Sequence, residues 1–193
     1  TSGYSVGTPP IIIGNRLYNS PGIYGLYVID NYCEDCGTIG TFPDTTNEWY
    51  IVGNILKNTP FGIRCGGLYN VNGCTGVVAN NKIYMYGQAG PMGGAIFDFR
   101  GPIYNTLIAD NYIEGPPLTN TNLSNNIFMP YGINLTNYST SQGNVITGNT
   151  IVNAKCAYPI SNKVSPYMCG GFPTACGTSW FPIQVANPNN VIY

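Results

Sequence analysis

The stretch "YIVGNILKNTPFGI", from Tyr50 to Ile63, contains a pattern that the chain repeats. A short apolar run is followed by a small or polar residue, then Asn, then any residue, then Ile or Leu. The other copies are "IIIGNRLYNSPGI" (Ile11 to Ile23), "VVANNKIY" (Val77 to Tyr84), "TLIADNYIEG" (Thr106 to Gly115) and "NVITGNTIVNA" (Asn144 to Ala154). Five copies in 193 residues indicate that one structural unit is repeated along the chain.

The spacing of the copies predicts stacked parallel strands. The motif residues are Asn15, Asn54, Asn81, Asn111 and Asn149, at intervals of 39, 27, 30 and 38 residues. A later apolar position follows in each copy, at Ile23, Ile63, Ile96, Ile133 and Ile160. Intervals of this length, filled with short strands and turns, are typical of a solenoid. Each strand of a solenoid pairs with its counterpart one coil away, so the sheets are parallel.

Composition predicts an all-β chain, because 15 Pro and 25 Gly recur every few residues and nearly exclude long helices. The motif Asn is expected at a corner, where it tolerates a left-handed backbone and bonds the local main chain. Stacking would align these side chains into an Asn ladder. We predict a single domain over 1–193, with clear repeats over about 9–160. Residues 161–193 are less regular, but Asn190-Val191-Ile192 repeats Asn144-Val145-Ile146 and resembles the start of a further coil.

Together these segments resemble the repeats of the right-handed parallel β-helix family, which includes pectate-lyase-like and tailspike-like proteins. The resemblance covers roughly Pro9 to Ile160. It implies a right-handed parallel β-helix with variable loop insertions, the longest of them between Asn111 and Gly132. The family's fold serves polysaccharide lyases, glycosidases, epimerases, tailspikes and adhesins alike, so the resemblance leaves the function open.

Charge limits the partners that the chain can have. Charged residues make up 8% of the sequence, and the 7 basic and 8 acidic side chains are scattered without runs. No basic face is available to neutralise a phosphate backbone, so we expect no nucleic acid partner. The chain also has no apolar run of about 18 residues, which predicts no membrane span.

Seven cysteines and three glycosylation motifs bear on the compartment. Cys33 with Cys36, Cys65 with Cys74, and Cys169 with Cys176 are close in sequence, and these pairs predict local disulfides, with Cys156 left over. A zinc site made from the first four cysteines is the alternative, although the spacing of the second pair fits it poorly. Asn-x-Ser/Thr motifs predict glycans at Asn122, Asn134 and Asn137. Both features predict an extracellular protein.

Catalytic residues are hard to find in this sequence. The chain has no His, which removes the Ser-His-Asp and Cys-His mechanisms and all His-metal sites. The best carboxylate set for a glycosidase or lyase is Asp98 and Arg100, with Asp110 about half a coil later. A surface ion pair on an outward face is the favoured explanation of Asp98 and Arg100. We predict no metal and no cofactor.

We therefore expect a non-catalytic structural or adhesive β-helix from the cell surface, the extracellular space or a virion surface. It would be a fibre, spike or surface filament that presents loops to a glycan or a protein receptor, and the 16 Tyr suit such contacts. Unpaired strand edges at the two ends of a solenoid predict a homo-oligomer or end-to-end stacking. The alternative is a carbohydrate-active enzyme of the same fold.

Overall fold

The computed structural model describes residues 11–40, 48–66, 72–86, 94–117, 119, 129, 131–135, 138, 140–154, 183–185 and 189–193. Within these residues there are 19 β-strands and no helix. None of the described segments is therefore a helix long and apolar enough to cross a membrane.

The strands form three sheets. The first sheet contains β1 (Ile11–Ile13), β4 (Tyr27–Ile29), β7 (Glu48–Val52), β10 (Cys74–Ala79), β13 (Ile103–Ala109), β16 (Val145–Thr147) and β19 (Val191–Ile192). The second contains β2 (Arg16–Tyr18), β5 (Tyr32–Glu34), β8 (Ile55–Thr59), β11 (Lys82–Met85), β14 (Tyr112–Glu114) and β17 (Thr150–Val152). The third contains β3 (Ile23–Tyr24), β6 (Ile39–Gly40), β9 (Ile63–Cys65), β12 (Gly94–Asp98), β15 (Tyr131–Leu135) and β18 (Ile183–Val185).

Every named strand pairs in parallel with the strand three places along the chain, as in β1 with β4 and β2 with β5. The chain thus visits the three sheets in turn and returns to each after one coil. This topology is consistent with a parallel β-solenoid and confirms the predicted all-β fold with parallel sheets.

The corner between the first and second sheets is a two-residue turn. Its first residue is Gly14, Asp30, Gly53, Asn80, Asp110 or Gly148, each with φ between 53° and 71°. Its second residue is the motif Asn. The left-handed backbone was expected at the motif Asn, but it lies one residue earlier. Gly adopts this conformation without strain, and Asn and Asp tolerate it better than other residues, so this position is restricted to these three types.

The sequence pattern did not identify one of the coils. Asn31 occupies the same corner position as the motif residues, so the 39-residue interval between Asn15 and Asn54 contains two coils of 16 and 23 residues. The pattern required Ile or Leu two residues after Asn, whereas Cys33 stands there and is buried. A buried Cys fills an apolar core position as a small hydrophobic residue does.

Three inward columns of side chains, one from each sheet, run through the core. The columns are Ile12, Val28, Ile51, Val78, Ile108, Ile146 and Ile192; Leu17, Cys33, Leu56, Ile83, Ile113 and Ile151; and Ile23, Ile39, Ile63, Ile96 and Ile133. Ile160 was predicted to continue the third column but lies outside the described residues, and Ile183 is in register with Ile133 instead. The repeat therefore extends past residue 160, and Val191 and Ile192 pair with Val145 and Ile146.

Two disulfides lie within this core. Cys33 is bonded to Cys36 and Cys65 to Cys74, and all four residues are buried. A sulfur in a disulfide cannot ligate zinc, so the alternative of a four-cysteine zinc site is excluded. Cys156, Cys169 and Cys176 lie outside the described residues.

Candidate functional site

Asp98, the first predicted catalytic residue, ends β12 and is fully buried. Its carboxylate accepts hydrogen bonds from Ser141 Oγ at 2.7 Å and from the Tyr138 backbone N–H at 3.1 Å. Ser141 Oγ in turn accepts the Ile103 N–H at 3.1 Å. The carboxylate thus joins two coils across a buried corner rather than facing solvent.

Arg100 and Asp110 have different surroundings from Asp98. Arg100 follows the end of β12, and its guanidinium carbon is 5.1 Å from the centre of the Phe99 ring. Asp110 is exposed at the corner after β13, whereas Asp98 is bridged through Ser141 to the first residue of that strand. Asp98 is buried and Asp110 is exposed, so the two carboxylates do not line one open surface.

The predicted glycosylation sites differ in what the structure describes. Asn134 lies in β15, with only 1% of its surface exposed. A side chain buried in this way leaves no room for a glycan in the folded chain. Asn122 and Asn137 lie outside the described residues.

The motif Asn side chains form one continuous ladder. Asn15, Asn31, Asn54, Asn81, Asn111 and Asn149 follow one another, and the Oδ1 of each later residue accepts both the backbone N–H and the Nδ2–H of the residue before it. These ten hydrogen bonds measure 2.8 to 3.0 Å. Each Nδ2 after the first also donates to a main-chain oxygen of the previous coil, as Asn81 does to Ile51 O at 2.8 Å. The ladder fixes the register of the strands on either side.

A shorter second ladder was missed by the sequence pattern. At the corner before the first sheet, Asn144 Oδ1 accepts the Thr106 N–H at 3.0 Å, and Asn190 Oδ1 accepts the Asn144 N–H at 3.0 Å. The earlier coils place Gly76 and Trp49 in register with Thr106, so no constant residue type marks this corner in the sequence.

The outer surface of the second sheet, which we name the second-sheet face, concentrates polar and aromatic side chains. Its two outward columns are Arg16, Tyr32, Ile55, Lys82, Tyr112 and Thr150, and Tyr18, Glu34, Lys57, Tyr84, Glu114 and Val152. These side chains point outward because they alternate with the buried core column of the same strands. Four Tyr, three cations and two carboxylates therefore share one surface of the sheet.

Two Tyr–Glu pairs recur on this face. The Tyr32 hydroxyl donates to Glu34 Oε2 at 2.7 Å, and the Tyr112 hydroxyl donates to Glu114 Oε2 at 2.8 Å. These hydrogen bonds are the main reason why the pKa of each Tyr is raised above 10.0. Within the described residues, Oε1 of each Glu accepts no hydrogen bond. Each pair thus presents an aromatic ring beside an available acceptor.

Neighbouring side chains extend the two pairs into a row. The ring centres of Tyr18 and Tyr32 are 5.9 Å apart, and those of Tyr84 and Tyr112 are 5.7 Å apart. Lys57 Nζ lies 5.6 Å from the centre of the Tyr32 ring. Strands β5 and β14 are three places apart in the sheet, which separates the two Tyr–Glu pairs by about 14 Å. The face therefore offers stacking surfaces, donors and acceptors along one line.

A sequence signal for these pairs exists. The pentapeptide Asp-Asn-Tyr-x-Glu occurs twice, at 30–34 and 110–114. Its Asp and Asn form the corner turn, and the strand that follows places Tyr and Glu on the same side because side chains alternate. From the sequence, only the Asn of this pentapeptide was assigned to a corner.

Arg64 forms a separate aromatic cluster on the third sheet. Its guanidinium carbon lies 5.4 Å from the ring centre of Phe61 and 4.7 Å from that of Phe99. Burial is the largest cause that lowers the pKa of Arg64, and a hydrogen bond with Tyr24 opposes it. The arrangement is explained by cation–π packing, which is stronger for a partly desolvated cation.

The second-sheet face thus combines aromatic rings, donors and acceptors. None of the described residues forms a cluster suited to a metal ion. Comparisons of the chain with protein-family models, with characterised proteins and with solved structures return no match.

Proposed function

We propose that this chain is a right-handed parallel β-helix of the pectate-lyase-like and tailspike-like type, with a structural and adhesive role and no catalytic activity. It would form part of an extracellular or virion-surface fibre, spike or filament, and it would hold a glycan on the second-sheet face. The parallel topology and the Asn ladder support the first part. The observation that carries the second part is the pair of Tyr–Glu hydrogen bonds on one flat surface.

A glycan suits this face better than a protein receptor does. Sugars need apolar ring surface for stacking and fixed acceptors for their hydroxyl groups, and Tyr112 with Glu114 supplies both. Because Tyr112 occupies Oε2 and holds the carboxylate in place, the remaining oxygen is oriented before a ligand arrives. Lys57 and Lys82 stand between the two Tyr–Glu pairs and provide donors.

The extracellular setting is supported by the two buried disulfides. Structural disulfides persist in oxidising compartments and are rare in the cytosol. A virion surface offers the same conditions.

Glycan binding is the test of this proposal. The full chain would be applied to an array of immobilised glycans, and the strongest ligand would then be titrated by calorimetry against Tyr112→Ala and Tyr50→Ala. Tyr50 is the matched control, because it is an exposed strand Tyr on the outer surface of the first sheet. We expect Tyr112→Ala to weaken binding tenfold or more, since truncated aromatic anchors typically cost more than about 1.4 kcal/mol.

Equal losses in the two variants would contradict the assignment to the second-sheet face. If the chain binds no glycan but binds a protein receptor, and Tyr112→Ala abolishes that binding, the ligand of the second-sheet face is a protein. If the chain releases sugar fragments from a polysaccharide and Asp98→Asn abolishes this activity, the protein is a carbohydrate-active enzyme. Thermal melting of each variant checks that the fold is retained.

A further inference from the structure

The second-sheet face carries the same four-residue arrangement twice. In each copy, one strand presents a cation and a Tyr with one residue between them, and the next strand of the sheet presents a Tyr and a Glu with the same spacing. The members are Arg16, Tyr18, Tyr32 and Glu34 in the first copy, and Lys82, Tyr84, Tyr112 and Glu114 in the second. We name these two sets the first module and the second module.

The strands pair with the same register in both modules. The cation is in register with the Tyr of the next strand, and the Tyr beside the cation is in register with the Glu. The register pairs are Arg16 with Tyr32, Tyr18 with Glu34, Lys82 with Tyr112, and Tyr84 with Glu114. All eight side chains point outward, because they alternate with the core column of their strands. Corresponding members of the two modules therefore occupy corresponding positions on the sheet.

The contacts within the two modules also agree. The Tyr rings are tilted by 53° at a centre distance of 5.9 Å in the first module, and by 49° at 5.7 Å in the second. The Tyr hydroxyl donates to Oε2 of the Glu at 2.7 Å in the first module and at 2.8 Å in the second. A sugar that fits one module would meet the same rings and the same acceptor in the other.

The strands outside the modules do not continue the arrangement. Strand β8 lies between the modules and presents Ile55 and Lys57 in the two outward columns, and β17 presents Thr150 and Val152. Among the six described strands of this sheet there is thus no third copy. Each member of the first module recurs three strands later, from β2 to β11 and from β5 to β14, which is a distance of about 14 Å.

The charges of the modules bear on the kind of sugar. Each module contains one cation and one carboxylate, so it has no net charge. Contacts with the Tyr rings and hydrogen bonds would then hold the ligand, rather than attraction between opposite charges. The recognised sugar therefore needs no charge of its own.

We propose that the two modules are equivalent subsites for one linear polysaccharide, in which the recognised sugar recurs about every 14 Å. The polysaccharide crosses the strands of the second sheet and occupies both modules at once. This inference rests on the proposed glycan contact at Tyr112, and it adds the minimum length and the periodicity of the ligand. Two linked subsites raise the affinity for a long chain without any new kind of contact.

Binding of short and long sugars to the full chain tests the proposal. The probes are disaccharides and hexasaccharides of cellulose, chitin and β-mannan, because a disaccharide cannot reach both modules whereas a hexasaccharide spans them. Amide chemical shifts of the isotope-labelled chain report on each module separately. We expect disaccharides to saturate both modules with similar dissociation constants. One hexasaccharide should bind per chain, about a hundredfold more tightly than a disaccharide.

Substitution of one Tyr in each module separates the two subsites. Tyr32→Ala should lower the affinity for the hexasaccharide about a hundredfold, to that of the disaccharide, and should leave disaccharide binding at the second module unchanged. Tyr112→Ala should have the opposite distribution, with disaccharide binding kept at the first module. Tyr50→Ala is the matched control on the first sheet and should change neither affinity. The amide spectrum shows whether each variant keeps the fold.

Two results would overturn the inference and leave the proposed glycan contact standing. One is a hexasaccharide that binds through Tyr112 no more tightly than the disaccharide does. The other is a hexasaccharide whose affinity Tyr32→Ala leaves unchanged, because the first module would then take no part in binding. If none of the probes changes the amide shifts of either module, the inference and the glycan contact on which it rests both fail.

Discussion

Replacing Asn81 by Ala should break the Asn ladder at its most buried rung. Asn81 has no exposed surface, and its Oδ1 accepts the Asn54 N–H and Nδ2–H, both at 3.0 Å. Its Nδ2 donates to Ile51 O at 2.8 Å and to Asn111 Oδ1 at 2.9 Å. Ala keeps the backbone N–H that bonds Asn111 but removes every side-chain bond.

The cost can be worked out from these contacts. The buried Asn54 N–H loses its acceptor, which costs about 1 to 3 kcal/mol, whereas the Asn54 Nδ2 still has Val28 O and Val52 O. Loss of the bond to Ile51 O adds about 1 kcal/mol. We expect Asn81→Ala to lower the free energy of unfolding by about 3 kcal/mol, a large part of the about 5 to 15 kcal/mol that is typical of a domain.

Asn15→Ala is the control from the same ladder. Asn15 is exposed, and in the described part of the chain no group donates to its Oδ1. Water can replace the bonds that its Nδ2 makes, so the expected loss is below about 1 kcal/mol. Urea unfolding followed by circular dichroism would give both values, provided that the slope m is unchanged. Equal shifts for the two variants would refute the assignment of stability to buried rungs.

Three further predictions follow from other contacts. Replacing Cys65 and Cys74 together by Ala should lower the free energy of unfolding by about 2.5 kcal/mol or more in urea, because their bond closes a loop with a sequence separation of 9; an unchanged midpoint would contradict it. Gly53→Ala should lower the free energy of unfolding by more than about 1 to 2 kcal/mol, the cost of Ala in a left-handed conformation, because its new Cβ would clash with Asp30 Oδ1. In a double-mutant cycle, adding Asp30→Gly should restore the part of the loss that is due to this clash. In an absorbance titration, Glu114→Gln should lower the pKa of its Tyr partner toward 10.0. Because the hydrogen bond to Glu114 raises the pKa of Tyr112, its contribution to stability is complete below pH 10.0 and is lost as the pH rises through the raised pKa. A Tyr titration that Glu114→Gln leaves unchanged would disprove the bond.

The register of the sheets was predictable because it follows a repeated residue type. The five motif Asn residues and Ile23, Ile63, Ile96 and Ile133 each fall in single columns, since every coil needs the same turn and the same inward apolar position. The Asn31 coil was missed because the core tolerates Cys33 where the pattern demanded Ile or Leu.

The surroundings of Asp98 could not be read from the sequence. Strand alternation alone paired Asp98 with Arg100, and it gave no sign of the hydrogen bond that Ser141, 43 residues away, donates to the carboxylate. Contacts between coils depend on loop lengths, which no local pattern specifies. The Tyr–Glu pairs depend only on alternation within one strand, so they were accessible to sequence reasoning.

The lengths of the coils also bear on how the chain folds. Successive rungs of the Asn ladder are 16, 23, 27, 30 and 38 residues apart, so the coils lengthen steadily toward the C-terminus. Closing a 38-residue loop costs about 0.8 kcal/mol more entropy than closing one of 16 residues. The earliest coils to be synthesised are therefore the easiest to close, and each closed coil offers a strand edge on which the next can pair. We expect folding to start at the N-terminal coils and to advance in the direction of translation, which shortens the time that unpaired strands of a slow, non-local fold remain exposed.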